Sequence, residues 1–169
     1  MFHFAIEFCY RTDAGNRSPD VIRGDRRLVL GRHRGEWVAV LYDYVNPDAP
    51  SDRQMVFESP VLTTPVADVR LFRPPDVLIG WGEDIDVELS GEKQGGAGWV
   101  VEAFVPWRVL GFSDVPSKIP CDAGLMIPDS GGVGVQRRIA WGDPTPLPVS
   151  DVAWEARIHP GRWGIMTLR

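Results

Sequence analysis

The chain has 169 residues, of which 44% are hydrophobic and 24% charged, and its formal net charge is −5. This length supports one domain, spanning 1–169, with a sizeable core, and the negative charge argues against general nucleic-acid affinity. No stretch approaches the roughly 18 continuous apolar residues of a membrane-spanning helix, so we expect no membrane insertion.

The N-terminal half alternates strand patterns with polar loops. Apolar or aromatic residues occupy every second position of Phe2–Tyr10, which predicts a half-buried strand and not a signal peptide. Arg26–Leu30 and Glu36–Tyr44 are joined by the short connection Gly-Arg-His-Arg-Gly, which predicts a β-hairpin. Further strands are predicted at Met55–Glu58, Val66–Phe72 and Asp84–Leu89, followed by a turn at Gly91–Gly98.

The C-terminal half contains the strongest strand pattern, Trp99–Val105, and one helical pattern, Pro106–Gly111. Proline suits the first helical position, and glycine suits the end of a helix. The remaining strands are predicted at Cys121–Ile127, Val135–Trp141, Val152–Ile158 and Trp163–Leu168. Many short strands and almost no helix predict an all-β, antiparallel β-sandwich of jelly-roll or immunoglobulin-like type.

Three segments of this half resemble a known family. A strand carrying Glu102 runs through Pro106 into a short helix with Leu110-Gly111, a later strand ends at Trp141, and the chain closes near Trp163-Gly164. In these features the chain resembles the carbohydrate-binding-module family 9-like domains, which are DOMON-related β-sandwiches. The stretch 26–60 is also similar to a subgroup appended to large secreted bacterial proteins.

The resemblance implies a noncatalytic domain of a larger or secreted bacterial protein. Its partners would be polysaccharides or oligosaccharides and other domains of a parent protein, in an extracellular or periplasmic location. Family members usually have additional strands before the one that Phe2–Tyr10 resembles. We therefore expect the apolar face of Phe2–Tyr10 to be incompletely covered.

Aromatic residues beside loops are the candidate sugar-binding residues. Sugar rings present apolar C–H faces, on which flat aromatic side chains can stack. Trp81 lies between two glycines next to acids, and Trp141 ends a strand before a Pro-rich loop. The candidates are Trp81, Trp141, Tyr44 and Trp154.

Two further features of the sequence concern metal binding and redox state. Related modules often carry structural calcium, and hard oxygen ligands are present at Asp129 and Ser130 and at the group Asp43, Asn46 and Asp48. No other cofactor is expected. Cys9 and Cys121 allow one disulfide but do not require it.

No motif for catalysis is recognisable, and we expect a protein that is not an enzyme. The acids of 83–88 could serve a glycosidase, but a solvated strand edge explains them as well. Two other functions stay open. One is an architectural or interaction domain without a small ligand. The other is a haem-binding electron-transfer domain, with axial ligands drawn from Met55, Met126, His33, Lys93 and Lys118.

Overall fold

The structure is a computed structural model that describes residues 5–89, 92–128, 135–143 and 152–168, with the side chains of these ranges except 83–99 and 152. It is mostly antiparallel β-sheet, which confirms the predicted all-β fold class. The strands are β1 (Ala5–Arg11), β2 (Asp25–His33), β3 (Glu36–Asp43), β4 (Met55–Glu58), β5 (Thr63–Val66), β6 (Asp68–Phe72), β7 (Leu78–Leu89), β8 (Glu92–Phe104), β9 (Lys118–Pro128), β10 (Val135–Ala140) and β11 (Gly164–Thr167). The helices are α1 (Trp107–Leu110) and α2 (Val152–Ala156), and 3-10 turns occur at Ser51–Arg53 and Pro160–Arg162.

The main sheet has the strand order β10-β9-β1-β2-β3-β6, and β11 pairs with β9 beside β10. Two hairpins, β4–β5 and β7–β8, form separate two-stranded sheets. The predicted β2–β3 hairpin is confirmed, with His33 paired to Glu36. Its turn residues Arg34 (φ 52°) and Gly35 (φ 88°) both have positive φ, as the tightest hairpin turns require.

One face of the main sheet carries the larger core cluster, and α1 packs on it. Tyr10, Leu41 and Ile119 are each 0% exposed there, whereas Ile6 and Phe8 are partly buried. The helical turn predicted at 106–111 is confirmed, because Gly111 ends α1 with a φ of 84°. The carbonyl of Leu110 accepts hydrogen bonds from the Tyr10 hydroxyl (2.9 Å) and Arg26 Nη1 (2.6 Å), so the helix end is anchored to the sheet.

The opposite face is covered by the β4–β5 hairpin and α2. Its smaller core cluster contains Cys9, Tyr44, Val66 and Ile158. The sequence predicts that β1 has one buried and one solvent-exposed face, and this is wrong, because the face that carries Glu7 and Cys9 is buried as well. Even Glu7, on the face expected to meet solvent, is only 2% exposed.

Ion pairs explain how a carboxylate can lie in this interior. Glu7 Oε2 lies 2.8 Å from Arg27 Nε on β2, and Glu7 Oε1 accepts a hydrogen bond from Arg138 Nε on β10. A Cβ at Gly124 would lie 2.7 Å from Glu7 Oε1, so glycine leaves the space that the carboxylate occupies. Burial lowers the pKa of Arg27, but the Glu7 carboxylate and the neighbouring Tyr44, Cys9 and Tyr42 together outweigh it and raise that pKa, so the guanidinium stays charged.

The prediction of a strand at Val152–Ile158 is wrong, since α2 occupies its first five residues. Tertiary hydrogen bonds hold this short helix. The carbonyls of Glu155 and Ala156 accept from Arg27 Nη1 and the Tyr44 hydroxyl, respectively, and that of Ala153 accepts from Thr64 Oγ1 at 2.8 Å. These partners are distant in sequence, and a local pattern does not reveal them.

Two other boundaries differ from the sequence prediction. The segment predicted as the strand Val66–Phe72 is divided between β5 and β6. The turn predicted at Gly91–Gly98 lies largely within β8, because β7 and β8 pair almost to their common end, up to Leu89 and Glu92. Within the described ranges, no helix is long and apolar enough to cross a membrane.

The two cysteines lie on adjacent strands but on opposite faces of the sheet. Tyr10 pairs with Cys121, and Cys9 pairs with Asp122, so alternation places the two sulfurs on different sides. Both are free and buried. Burial, followed by the nearby Glu7 carboxylate, raises the pKa of Cys9 to about 12, and burial also raises the pKa of Cys121.

Both thiols should therefore be unreactive in the folded protein, because the thiolate is the nucleophile. We expect iodoacetamide at neutral pH to label neither Cys9 nor Cys121 until urea unfolds the chain, with mass spectrometry counting the adducts. Prior reduction should leave the mass unchanged. Fast labelling of Cys9 in the native protein would contradict the burial described above.

A second prediction concerns the buried carboxylate. Glu7→Ala leaves Arg27 and Arg138 without their carboxylate, and we expect the free energy of unfolding to fall by about 3–5 kcal/mol in urea titrations. The matched control is Asp48→Ala, which removes an ion pair with Arg23 whose side chains are 73% and 80% exposed. That change should cost at most about 0.5 kcal/mol. Equal effects of the two substitutions would show that the Glu7 ion pairs are not structural.

Candidate functional site

A cleft of about 730 Å³ opens on the face of the main sheet that carries α2. Its walls come from four separate segments of the chain. These are 19–21 in the loop after β1, 44–45 at the end of β3, 62–65 at β5, and 157–162 after α2.

The loop wall is fixed by one buried arginine. Arg11 Nε lies 2.6 Å from Asp25 Oδ1, and the two side chains are 2% and 0% exposed. The same guanidinium donates to the carbonyls of Asn16 (3.2 Å), Ser18 (2.9 Å) and Asp20 (3.0 Å). One cation therefore holds the loop that leads into the cleft.

The opposite wall continues from α2, whose last carbonyl is bound by Tyr44. Ile158, 4% exposed, anchors the segment in the smaller core cluster. The 3-10 turn that follows packs against the loop, since a Cβ at Gly161 would lie 3.1 Å from Pro19 Cβ. The rigid interior of the sheet thus sets the positions of both walls.

Basic side chains dominate the wall at 157–162. The Arg157 guanidinium lies 5.5 Å from the centre of the Trp154 ring, and Arg162 Nη1 lies 2.6 Å from Asp143 Oδ1. Burial lowers the pKa of His159; Asp143 opposes this, whereas Arg157, Arg162 and Arg138 lower the pKa further. Three guanidinium groups therefore act on this imidazole.

Trp141 lies on the surface beside this wall and is 66% exposed. A Cβ at Gly164 would lie 2.5 Å from Cη2 and Cζ3 of the Trp141 ring, so the ring rests against bare backbone. The turn after Trp141 is fixed by Asp122, whose carboxylate accepts from the backbone N–H groups of Gly142 (2.7 Å) and Asp143 (3.1 Å). The result is a supported, outward-facing aromatic surface.

The other predicted aromatic residues have different settings. Tyr44 lines the cleft but is only 8% exposed, with its hydroxyl bound to Ala156, so it contributes a floor and no free ring face. Trp154 is half-buried beneath Arg157. Of these three residues only Tyr44 lines the cleft, whereas Trp154 lies beneath the lining residue Arg157, and Trp141 precedes the turn that carries Asp143, the partner of the lining residue Arg162.

Trp81 lies elsewhere. It is 37% exposed and sits 6.3 Å from Trp37 between ring centres, with the Arg32 guanidinium 5.4 Å from its own ring. Trp37 lies at the start of β3 and Tyr44 directly follows its end. The surroundings of Trp81 and the cleft are therefore roughly 23 Å apart along the strand. The predicted site residues therefore fall into two groups.

Of the calcium ligands predicted, Asp129 and Ser130 lie outside the described residues. Asp43 is paired with Arg26 (3.1 Å) and Asp48 with Arg23. The Asn46 Oδ1 accepts from the backbone N–H of Asp48 (3.2 Å), and the Asn46 Nδ2 donates to Asp68. In the part of the chain that the structure describes, no three His, Cys, Asp or Glu side chains are grouped to hold a metal ion. Among the haem-ligand candidates, the Met126 sulfur accepts from Arg27 at 3.2 Å, and Met55 is 43% exposed on β4.

Sequence reasoning missed the basic residues of the cleft wall. Arg157 lies within the segment predicted as the strand Val152–Ile158, where alternating exposure makes a charge unremarkable, and His159 and Arg162 follow that segment. One signal was available, since Pro160-Gly161 marks a turn and brings the flanking basic residues close together.

Comparison with protein-family models, with curated proteins and with solved structures gives no match to this chain.

His159 provides a test of the cleft wall. Its ordinary pKa of 6.5 is lowered in the folded state, so the unfolded chain binds the proton more readily, and stability should fall as the pH drops from about 7 to 5. The loss begins near the unfolded pKa and levels off below the folded one. We expect His159→Gln to remove this part of the pH dependence in urea titrations.

The matched control is His33→Gln, which replaces an exposed histidine at the end of the β2–β3 hairpin. It should leave the pH profile of stability as it is in the parent chain. A profile unchanged by His159→Gln would show that the imidazole is not buried against the cleft wall.

Proposed function

We propose that this chain is a noncatalytic carbohydrate-binding domain that binds its ligand across Trp141 and the adjoining cleft. The observation that carries the proposal is the exposed Trp141 ring supported on Gly164. A flat aromatic surface of this kind suits the apolar face of a sugar ring. Polar groups that can fix hydroxyl groups lie beside it, in the ion pair of Asp143 and Arg162.

The two parts of the proposed site are continuous. Arg162 pairs with Asp143, two residues after Trp141, and it also lines the cleft. A saccharide stacked on Trp141 can therefore extend past this ion pair toward Tyr44 and Leu62. The combination of an aromatic platform, apolar walls and a few charged groups is typical of small-ligand sites.

The sequence resemblance to family 9 carbohydrate-binding-module-like domains supports the same proposal. The segments that carry this resemblance are the helical turn α1 and the stretches around Trp141 and Trp163. The proposal includes the setting that this resemblance implies, which is a domain of a larger secreted bacterial protein in an extracellular or periplasmic location.

An interaction domain without a small ligand is the second candidate. It is favoured by Leu78 and Phe104, which pair across β7 and β8 and are 53% and 65% exposed. Adjacent exposed apolar side chains are typical of protein contact surfaces. This surface is formed by other strands than those around the cleft, so substitutions can test the two functions separately.

We expect Trp141→Ala to weaken glycan affinity by at least about ten-fold, equivalent to about 1.4 kcal/mol, in affinity electrophoresis across a panel of soluble polysaccharides. The matched control is Phe104→Ala, which removes an aromatic ring of the same exposure, 65% against 66%. It should leave retardation unchanged. Tryptophan fluorescence should respond to the ligand in the parent chain.

Other outcomes would redirect the proposal. Loss of affinity in Trp81→Ala, with Trp141→Ala unaffected, would place the sugar site at the end of the β2–β3 hairpin. A folded parent chain that no glycan retards would favour the interaction domain, and Phe104→Ala would then be the substitution to test for loss of a protein contact.

A further inference from the structure

We infer that the cleft selects acidic saccharides, with Arg157 binding a carboxylate of the sugar and Trp141 supporting the ring of a neighbouring unit. This inference rests on the proposed function and names the ligand class of the same site.

Arg157 is the residue on which the inference depends. It lines the cleft and is exposed, and within the described ranges it takes part in no ion pair, unlike Arg162, which is paired with Asp143. The Trp154 ring beneath its guanidinium, at 5.5 Å, favours one orientation of a side chain that is otherwise flexible. A pre-oriented guanidinium without a carboxylate is suited to take one from a ligand.

The charged groups of the cleft balance in number but differ in whether they are already paired. The charged residues lining the cleft are Arg157, Arg162 and Asp20, and Asp143 pairs with Arg162 just outside the lining. Two guanidinium groups and two carboxylates cancel in net charge, so an anionic ligand would be bound by the Arg157 guanidinium itself and not by a net positive charge of the cleft.

The chemistry favours a carboxylate carried on a sugar over a small free anion. A guanidinium binds a carboxylate through two parallel hydrogen bonds, which fixes orientation as well as charge. The rest of the lining is mostly apolar, including Pro19, Leu62 and Pro65. At about 730 Å³ the cleft falls in the roughly 300–1,000 Å³ range of small-molecule sites, large enough for more than the carboxylate alone.

The test uses matched polymers. Polygalacturonate, alginate and hyaluronate are each compared with the carboxyl-reduced form of the same polymer in affinity electrophoresis of the whole chain. We expect at least one acidic polymer to retard the parent chain and its reduced form to lose most of that effect. Arg157→Gln should weaken binding of the acidic polymer by roughly ten- to a hundred-fold, as expected for a hydrogen bond to a charged group.

Arg108→Gln is the control for unspecific attraction, because Arg108 is an exposed arginine on α1, which packs on the other face of the main sheet. It should leave retardation unchanged, and a loss equal to that of Arg157→Gln would overturn the inference. Dextran sulfate tests charge density alone. If it binds as tightly as the acidic polymer, and Arg157→Gln does not weaken that binding, the inference is overturned as well.

Failure of the inference is distinguishable from failure of the proposed function. In one outcome the reduced polymers bind as tightly as the acidic ones, and binding is lost in Trp141→Ala but kept in Arg157→Gln. That outcome overturns the inference and leaves the proposed carbohydrate site unaffected. Binding of an acidic polymer that is lost in Arg157→Gln but kept in Trp141→Ala supports the carboxylate contact and removes Trp141 from the site. No retardation by acidic, reduced or neutral glycans overturns both.

Discussion

Two consecutive arginines on β2 connect the main sheet to both of its covering layers. Arg26 and Arg27 point to opposite faces, as neighbours on a strand must, and each donates to the last carbonyls of a short helix, Arg26 to α1 and Arg27 to α2. The C-terminal end of a helix carries partial negative charge and unpaired carbonyls, which a guanidinium satisfies. Helices of four or five residues have little stability of their own, so these contacts decide where both helices lie.

The arginine that faces α2 depends in turn on a buried carboxylate. The Glu7 carboxylate beside Arg27 offsets part of the cost of burying its guanidinium, and Glu7 also accepts a hydrogen bond from Arg138. The three side chains come from β1, β2 and β10, and their interaction favours one register of these strands. A shift of one residue would move Glu7 to the face of Tyr10 and leave both arginines without a carboxylate.

The sequence predicted correctly those turns whose shape depends on residues a few positions apart in the chain. The hairpin at 31–35 and the turn at 106–111 follow from glycine and proline at positions with special backbone angles. The strand predicted at Val152–Ile158 failed for the converse reason. Its helix depends on Arg27, Tyr44 and Thr64, which are 89 to 128 residues away in sequence.

The same distinction applies to the candidate site. Trp141 could be selected from its place at a strand end before a turn, which is local information. The cleft could not, because it forms only when 19–21, 62–65 and 157–162 meet around Tyr44. The charged groups in and around the cleft differ in whether they are already paired: Arg162 has Asp143, and Arg11, behind the loop wall, has Asp25. Composition counts these groups equally, whereas the fold leaves Arg157 exposed and, among the described residues, in no ion pair.

The cleft wall at 157–162 is held in a defined position by contacts with the core, although it consists of a 3-10 turn and irregular backbone. Arg27 and Tyr44 fix the carbonyls of Glu155 and Ala156, and Arg157 follows directly. Ile158 then returns the chain to the core two residues after the helix. Arg157 therefore extends outward between two buried anchors, so the position of its guanidinium depends on the ion cluster inside the sheet as well as on Trp154.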